Sequence, residues 1–270
     1  MNWMMIVAAL GIMGVLGAVF GVVLSIADKK FAVEVDPRVS AVRAVLGGAN
    51  CGACGFAGCD AFAEAVVNGE AKPDGCPASG AAGAVAIAQI MGLDAGDAKE
   101  DQIARVYCQG TCEAAKARYA YEGIESCAMA ATLAGGPKQC ANACIGLGDC
   151  IKACAFGAIQ LEDGIAKISG DRCVACGQCV KACPRGVIHL APANGVVFVA
   201  CQNHDSPKEA RGACTNACIG CGRCVKACIT GAIQVKDFCA VIDQSLCSRC
   251  GACAKVCPVG CIRDMTGHNS

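Results

Sequence analysis

The chain has 270 residues with 23 basic and 23 acidic side chains, so its formal net charge is zero; this excludes the basic footprint of a nucleic-acid binder. It carries 27 cysteines but only 7 Phe, 3 Tyr and 1 Trp. A large apolar core is thereby excluded as what holds the cysteine-rich part together, and the length allows two domains or more.

Trp3 through Ala27 carry no charge, and Ser25 is the one hydroxyl among them. At ~1.5 Å per residue, a helix of this length crosses a ~30 Å hydrocarbon layer. No basic residue precedes it and Asp28-Lys29-Lys30 follows. The expectation is an uncleaved, single-pass anchor in a cytoplasmic (inner) membrane rather than a signal peptide, with the rest of the chain on the cytoplasmic side. A buried soluble helix is the bland alternative. Gly14, Gly17 and Gly21, with Gly11 nearby, share one helical face. The Gly17-x3-Gly21 pair would let a partner helix approach closely, although glycine is also simply common in membrane helices.

Residues 28 to 36 read as a tether. Asp36-Pro37 then signals a helix start, Asp as N-cap and Pro at the first position, running to about Leu46 and stopped by Gly47-Gly48. Next comes Cys51-x2-Cys54-x4-Cys59-x16-Cys76-Pro77. Its glycines make a loop supple enough to wrap a cluster. A short helix from Asp60 to Asn68 places Ala61, Phe62, Ala65 and Val66 on one side, and Lys72-Pro73-Asp74-Gly75 is a turn delivering Cys76. The four cysteines form an independent site; the spacing alone also suits zinc, and the motifs downstream tilt the reading to [4Fe-4S]. Residues 78 to 92 read as a helix, 94 to 101 as a surface loop, and Ile103 to Tyr107 as a strand ending at Cys108.

Residues 127 to 264 are one unit written twice. Cys127, Cys140, Cys144, Cys150, Cys154, Cys173, Cys176, Cys179 and Cys183 recur, each shifted by 74 positions, as Cys201, Cys214, Cys218, Cys224, Cys228, Cys247, Cys250, Cys253 and Cys257. Such register marks a tandem duplication. Each unit ends in a bacterial ferredoxin block, CxxCxxCxxxCP, in which three thiolates hold one cubane and the fourth reaches the neighbouring cluster. Disulfides need an oxidising compartment, whereas this spacing reads as reduced thiolates in a reducing cytoplasm. Metal–sulfur bonds would then supply folding energy that the core lacks.

In the second unit Cys218, Cys221, Cys224 and Cys257 are expected to hold one [4Fe-4S] cluster, and Cys247, Cys250, Cys253 and Cys228 the next. In the first unit Leu147 stands where Cys221 stands in the copy. Cys140 is the expected replacement, giving Cys140, Cys144, Cys150 and Cys183, with Cys173, Cys176, Cys179 and Cys154 as the second set. Cys154 and Cys228 are followed by Ala155 and Ile229, where ferredoxins usually carry proline. Five clusters would use 20 of the 27 cysteines. Cys108, Cys112 and Cys127 either recruit Cys140 or are structural thiols; Cys201, Cys214, Cys239 and Cys261 are unassigned, and a sixth cluster stays open. His189, His204 and His268 show no ligand spacing and are expected to be solvated. No GxGxxG motif, flavin or NAD pocket, or catalytic triad is visible.

The expected fold is α+β: a transmembrane helix, a small helical Fe-S domain, then tandem bacterial-type 2[4Fe-4S] ferredoxin-like modules. The corresponding segments are the anchor at 1–27, the four-cysteine domain at 28–92, a linking segment with extra cysteines at 93–135, and the two modules at 136–195 and 196–270.

Together these features resemble the B subunit family of the Rnf complex, a membrane ferredoxin:NAD oxidoreductase that couples electron flow to Na+ or H+ export. The resemblance covers nearly the whole chain. It rests on the anchor; on Gly48-Ala-Asn-Cys51-Gly-Ala-Cys54-Gly-Phe-Ala-Gly-Cys59; on Tyr121-Glu-Gly-Ile124 with Gly135-Gly-Pro-Lys138; on Cys144-Ile-Gly-Leu-Gly-Asp-Cys150; and on the repeated ferredoxin blocks. Leu147 is similar to the family's own Gly-Leu-Gly pattern. The resemblance implies an electron-transfer protein fed by soluble ferredoxin and partnered by the complex's other membrane and NAD- or flavin-binding subunits. The rivals are a related complex that reduces a redox-sensing transcription factor, and a membrane-tethered metal-binding scaffold without electron flow.

Overall fold

The computed structural model describes residues 3–31, 36–93 and 101–265. Residues 32–35 of the expected tether, most of the expected loop at 94 to 101, and His268 lie outside them; residues 28–31, read as tether, instead continue the first helix. Helix α1 (Trp3–Phe31) is unbroken. Within it Leu10–Ala27 is long and apolar enough to cross a membrane, and none of that window is buried against the rest of the chain. An apolar helix free of packing against the rest of the chain is compatible with membrane anchoring.

Three helices form the small domain: α2 (Pro37–Val45), α3 (Cys59–Val67) and α4 (Gly80–Met91), with a 3-10 turn at Pro77–Ser79. The Asp36 carboxylate caps α2 by accepting from the Arg38 N–H at 2.8 Å, as the Asp-Pro pair predicts. Val42, Leu46, Phe62, Ala63, Val66 and Ile87 pack together with Cys76, and Cys54 and Cys59 lie against them. Phe56 meets Phe62 edge to face at 5.7 Å, and Arg43 Nε donates to Asp60 Oδ1 at 2.7 Å, tying α2 to α3.

The duplication is written in the strands. Hairpin β2 (Ile159–Glu162) and β3 (Ile165–Ile168) is repeated by β6 (Ile233–Lys236) and β7 (Cys239–Ile242). The registers correspond, Ile159 opposite Ile168 and Ile233 opposite Ile242. Each hairpin turns on two left-handed residues, Asp163-Gly164 and Asp237-Phe238, the conformation of the type I′ turn. A cysteine loop presses on each turn. A Cβ on Gly146 would stand 2.4 Å from the Gly164 carbonyl oxygen, and one on Gly220 would stand 2.8 Å from that of Phe238. Glycine is therefore required at both places.

A second antiparallel pair completes each unit. In the second it is β5 (Val197–Val199) with β8 (Ile262–Asp264). In the first it is β1 (Gln102–Val106) with β4 (Ile188–Pro192), paired from Gln102 opposite Pro192 to Val106 opposite Ile188. The stretch read as a linking segment thus begins with a strand of the first unit's own sheet. Two-stranded sheets are marginal alone. Here they rest on the small helices α6 (Asp149–Lys152), α7 (Gln178–Ala182), α9 (Arg223–Ala227) and α10 (Ala252–Lys255); α5 (Cys127–Thr132) and α8 (Pro207–Ala213) are two further short helices.

The two units meet through Arg105. Its buried guanidinium lies 4.9 Å from the Phe198 ring centroid and donates to the Ala193 carbonyl at 3.2 Å. Tyr107 sits edge-on to both His189 and Phe198. His189 and His204 are exposed, as expected of solvated imidazoles.

Candidate iron-sulfur sites

Four hollows of closely similar size, about 300 to 350 Å3, have cysteines in their walls, four in three of them and five in the other. Among the described residues no three His, Cys, Asp or Glu side chains converge as a single metal ion requires. The thiols ring a space instead of meeting at a point.

The first hollow, about 320 Å3, has Cys154, Cys173, Cys176 and Cys179 in its walls with Phe156 and Ile168. This is the set expected from the spacing. Backbone N–H groups already point at its sulfurs: Ala104 N donates to Cys173 Sγ and Ala158 N to Cys154 Sγ, both at 3.4 Å. Burial pushes the Cys179 thiol up to about 11, helped by charge on Cys173, Cys176 and Cys154. Thiols packed this closely resist ionising together unless a cation compensates them, and iron does so.

In the second hollow, about 350 Å3, the four are Cys127, Cys144, Cys150 and Cys183. The expected fourth thiol, Cys140, lines a different hollow. Cys127, at the start of α5, takes the place that Cys221 holds in the second unit. Burial pushes Cys150 up to about 12, followed by charge on Cys144, Cys127 and Cys183. Leu147 packs beside Cys127, Ala130 and Ile145, so an apolar side chain fills the space of the absent ligand.

Asp149 sets the start of α5. Its carboxylate accepts from Ser126 Oγ and from Ala128 N, both at 2.9 Å. Burial pushes its pKa up, but the hydrogen bonds from Ala128, Ser126 and Cys127 outweigh this, and the net shift is downward. A lowered carboxylate keeps its cap above the ordinary range and loses it only as pH falls through the lowered value. Asp149→Ala is expected to quicken iron loss from this site several-fold at neutral pH, read as release to a chelator. An unchanged rate would show that α5 places Cys127 unaided.

Cys140 belongs to a third hollow, about 300 Å3, with Cys108, Cys201 and Cys214. Each unit gives it two thiols, with the same neighbours: Cys108-Gln109 and Cys201-Gln202, then Cys140-x-Asn142 and Cys214-x-Asn216. Cys108 Sγ accepts from Cys144 N, and Cys201 Sγ from Cys218 N, both at 3.3 Å. Cys201 is thus the structural counterpart of Cys108, not of Cys127 as the 74-residue register suggests. Burial pushes Cys140 up to about 11, with charge on Cys108, Cys201 and Cys214 adding to it. The Lys138 ammonium donates to the Gly110 carbonyl at 2.7 Å, and its charge favours ionised Cys144 and Cys214. Asn203 is 1% exposed and lines the hollow, and its Nδ2 has no partner among the described residues. A buried amide N–H is costly unless something accepts from it. An inorganic sulfide in the hollow would do so, and the donor set fits a [4Fe-4S] cluster.

Cys218, Cys221, Cys224 and Cys257 line the fourth hollow, about 330 Å3, as expected. Ala240 N donates to Cys218 Sγ at 3.4 Å. The remaining expected set of this unit is Cys228, Cys247, Cys250 and Cys253. Burial pushes Cys253 up to about 11, with charge on Cys247 next. Cys250 lies beside Cys228, and Arg249 N donates to Cys247 Sγ at 3.4 Å. Cys51, Cys54, Cys59 and Cys76 belong to the helical domain, where Asn50 Oδ1 accepts from Cys59 N at 2.8 Å.

The six sets stand in a row. Gln178 Nε2 donates to the Cys51 carbonyl at 2.7 Å, and Cys176 faces Cys51. Charge on Cys179 acts on Cys150, Cys144 N donates to Cys108 Sγ, Cys218 N donates to Cys201 Sγ, and charge on Cys224 acts on Cys253. Three cysteines fall outside the sets: exposed Cys112, and buried Cys239 and Cys261. The roles of Cys108, Cys127, Cys201 and Cys214 were hidden in the sequence. The repeated Cys-Gln and Cys-x-Asn pairs are the signal that could have shown the central set.

Comparison with known proteins finds iron–sulfur families in three parts of the chain. The putative Fe-S cluster family matches residues 46–78, the 4Fe-4S dicluster domain residues 143–187, and the 4Fe-4S binding domain residues 215–234 and 240–263. None of these segments includes Cys108, Cys127, Cys140, Cys201 or Cys214. The chain is 48% identical over 243 residues to the B subunit of the Na(+)-translocating ferredoxin:NAD(+) oxidoreductase complex of Acetobacterium woodii, covering 90% of this chain and 73% of that one. It is 44% identical to the B subunit of the proton-translocating ferredoxin:NAD(+) oxidoreductase complex of Clostridium ljungdahlii, covering 90% and 86%. It is also 40% identical to the B subunit of the ion-translocating oxidoreductase complex of Methanosarcina acetivorans, covering 90% and 92%. With an apolar N-terminal helix and an iron–sulfur domain ahead of duplicated ferredoxin units, this chain belongs to the B subunit family of the ion-translocating oxidoreductase (Rnf) complexes.

Proposed function

We propose that the chain is the membrane-anchored electron wire of an ion-translocating ferredoxin:NAD oxidoreductase complex, holding six [4Fe-4S] clusters in line. The observation that supports this reading is the succession of links between cysteine sets, from Gln178 on the Cys51 carbonyl through Cys144 N on Cys108 Sγ to Cys218 N on Cys201 Sγ. Clusters bound there supply one-electron storage and transfer, at potentials set by hydrogen bonds to sulfur and by burial. The chain's own residues space the sites, aim backbone N–H groups at the sulfurs and exclude water. No nucleotide site is assigned to this chain, so flavin and NAD chemistry falls to partner subunits.

The anchor and the Lys29-Lys30 pair support a cytoplasmic position for all six sites. The small domain adjoins the anchor in sequence, so the 51–76 site is read as the output toward membrane partners. The 247–257 end is read as the input from soluble ferredoxin. Exposed apolar side chains of the second unit support this: Ile229 is 87% exposed, where the first unit has Ala155. Leu246 and Val241 are likewise exposed where the first unit has Arg172 and Lys167. Cys250 is also exposed, and exposed apolar groups suit a docking partner. In domain terms, 101–195 and 196–265 are read as the two ferredoxin-like units.

Selective loss of the 51–76 cluster tests the direction. The full chain lacking it, as Cys54→Ala with Cys59→Ala, is expected to oxidise ferredoxin at the normal rate while failing to reduce its complex partners. Loss of both activities together would reverse or reject the order. Anaerobic wild-type chain is expected to be brown, with about 24 iron atoms, four for each of six sites; zinc, or no reducible signal, fits a scaffold instead.

A further inference from the structure

The second unit contains two buried thiols that no four-cysteine set uses, Cys239 and Cys261. Their counterparts 74 positions earlier are Ile165 and Val187, also buried. The two units are otherwise close copies here, so the difference is chemical rather than spatial. Cys261 lines the hollow of Cys218, Cys221, Cys224 and Cys257, as Val187 lines that of Cys127, Cys144, Cys150 and Cys183. Its Sγ lies 3.6 Å from Cys257 Sγ, and it also reaches Cys218. Cys239 is placed between two sites. Its S–H points to the Cys201 carbonyl at 3.4 Å, and its sulfur adjoins those of Cys201 and Cys218.

A thiol that is not a ligand keeps its proton and is a weak donor. A donor aimed at a ligand sulfur favours the state with more negative charge, which is the reduced one. Hydrogen bonds to sulfur are among the levers that set cluster potential. We propose that Cys261 is a positioning residue whose S–H donates to the ligand sulfurs of Cys218 and Cys257, raising the potential of this station above that of its counterpart in the first unit. This rests on the reading that the hollow holds a cluster. The wire is then not a flat run of equal steps. It has a resting place for an electron in the second unit, next to the central site.

The test is a potentiometric titration of the anaerobic full chain, followed by electron paramagnetic resonance, with iron counted in the same samples. Cys261→Val installs the first unit's own residue. It is expected to move one station to lower potential, so that its reduced-to-oxidised ratio at fixed poise falls about threefold or more, with iron unchanged. The reciprocal Val187→Cys is expected to raise the matching station of the first unit, and it keeps the test independent of whether the second unit tolerates Cys261→Val. Unmoved midpoints at full iron would overturn the proposal. Loss of about four irons in Cys261→Val would also overturn it, because the thiol would then be a ligand. Wild-type chain without iron or a reducible signal would remove the cluster reading itself, an outcome separate from a failed shift.

Discussion

Cys140→Ala is expected to remove about four of about 24 irons and to disconnect the two ferredoxin-like units from each other. Cys140 stands with Cys108, Cys201 and Cys214 around one hollow. That hollow lies between the Cys144 side of the first unit and the Cys218 side of the second. Without it, the shortest path between the units loses its middle station. Electrons delivered by ferredoxin should fill the second unit and stop there, leaving the 51–76 station and its first-unit neighbours oxidised while the stations before the gap are reduced. Cys108→Ala and Cys214→Ala should give the same phenotype, because each removes a corner of the same site. If Cys140 instead served Cys144, Cys150 and Cys183, its loss would empty the first-unit site and leave Cys108→Ala without effect on iron. The three variants, compared by iron content and by which stations reduce, separate the two arrangements.

The second large effect is expected at Cys127. Cys127→Ala should also cost about four irons, this time from the site of Cys144, Cys150 and Cys183. Leu147→Cys in the same chain should restore them. Leu147 occupies the position that Cys221 holds in the copy, inside a loop that already turns on Gly146 and touches the hairpin as its counterpart does. The leucine packs beside Cys127, so the replacement thiol starts next to the vacated corner. Full iron in Cys127→Ala, or a double variant that stays four irons short, would remove Cys127 from the site.

These two cysteines also show where the sequence was legible and where it was not. Cys173, Cys176, Cys179 and Cys154 could be grouped on sight, as could the two sets of the second unit, because local loops of fixed length determine them. The helix from Asp36-Pro37, the strand ending before Cys108 and the apolar N-terminal helix are equally local, and all are present. What failed was register across an insertion. The stretch from Cys108 to Cys140 is 19 residues longer than that from Cys201 to Cys214. The extra length carries α5 and Cys127, which by coincidence lands 74 positions before Cys201. Spacing therefore paired Cys127 with Cys201. Strand pairing shows that Cys108 follows β1 as Cys201 follows β5. A ligand set assembled from four distant loops leaves no contiguous motif, and only the fold brings it together.

The central hollow takes two corners from each copy, related by an approximate twofold exchange. That is the symmetry of an isologous dimer interface, here fused into a single polypeptide. Covalent linkage turns a bimolecular encounter into an intramolecular one, so filling of the shared centre no longer depends on protein concentration. It also means that neither copy is a finished ferredoxin: cut apart, each would present a half-built, thiol-lined wound rather than a surface.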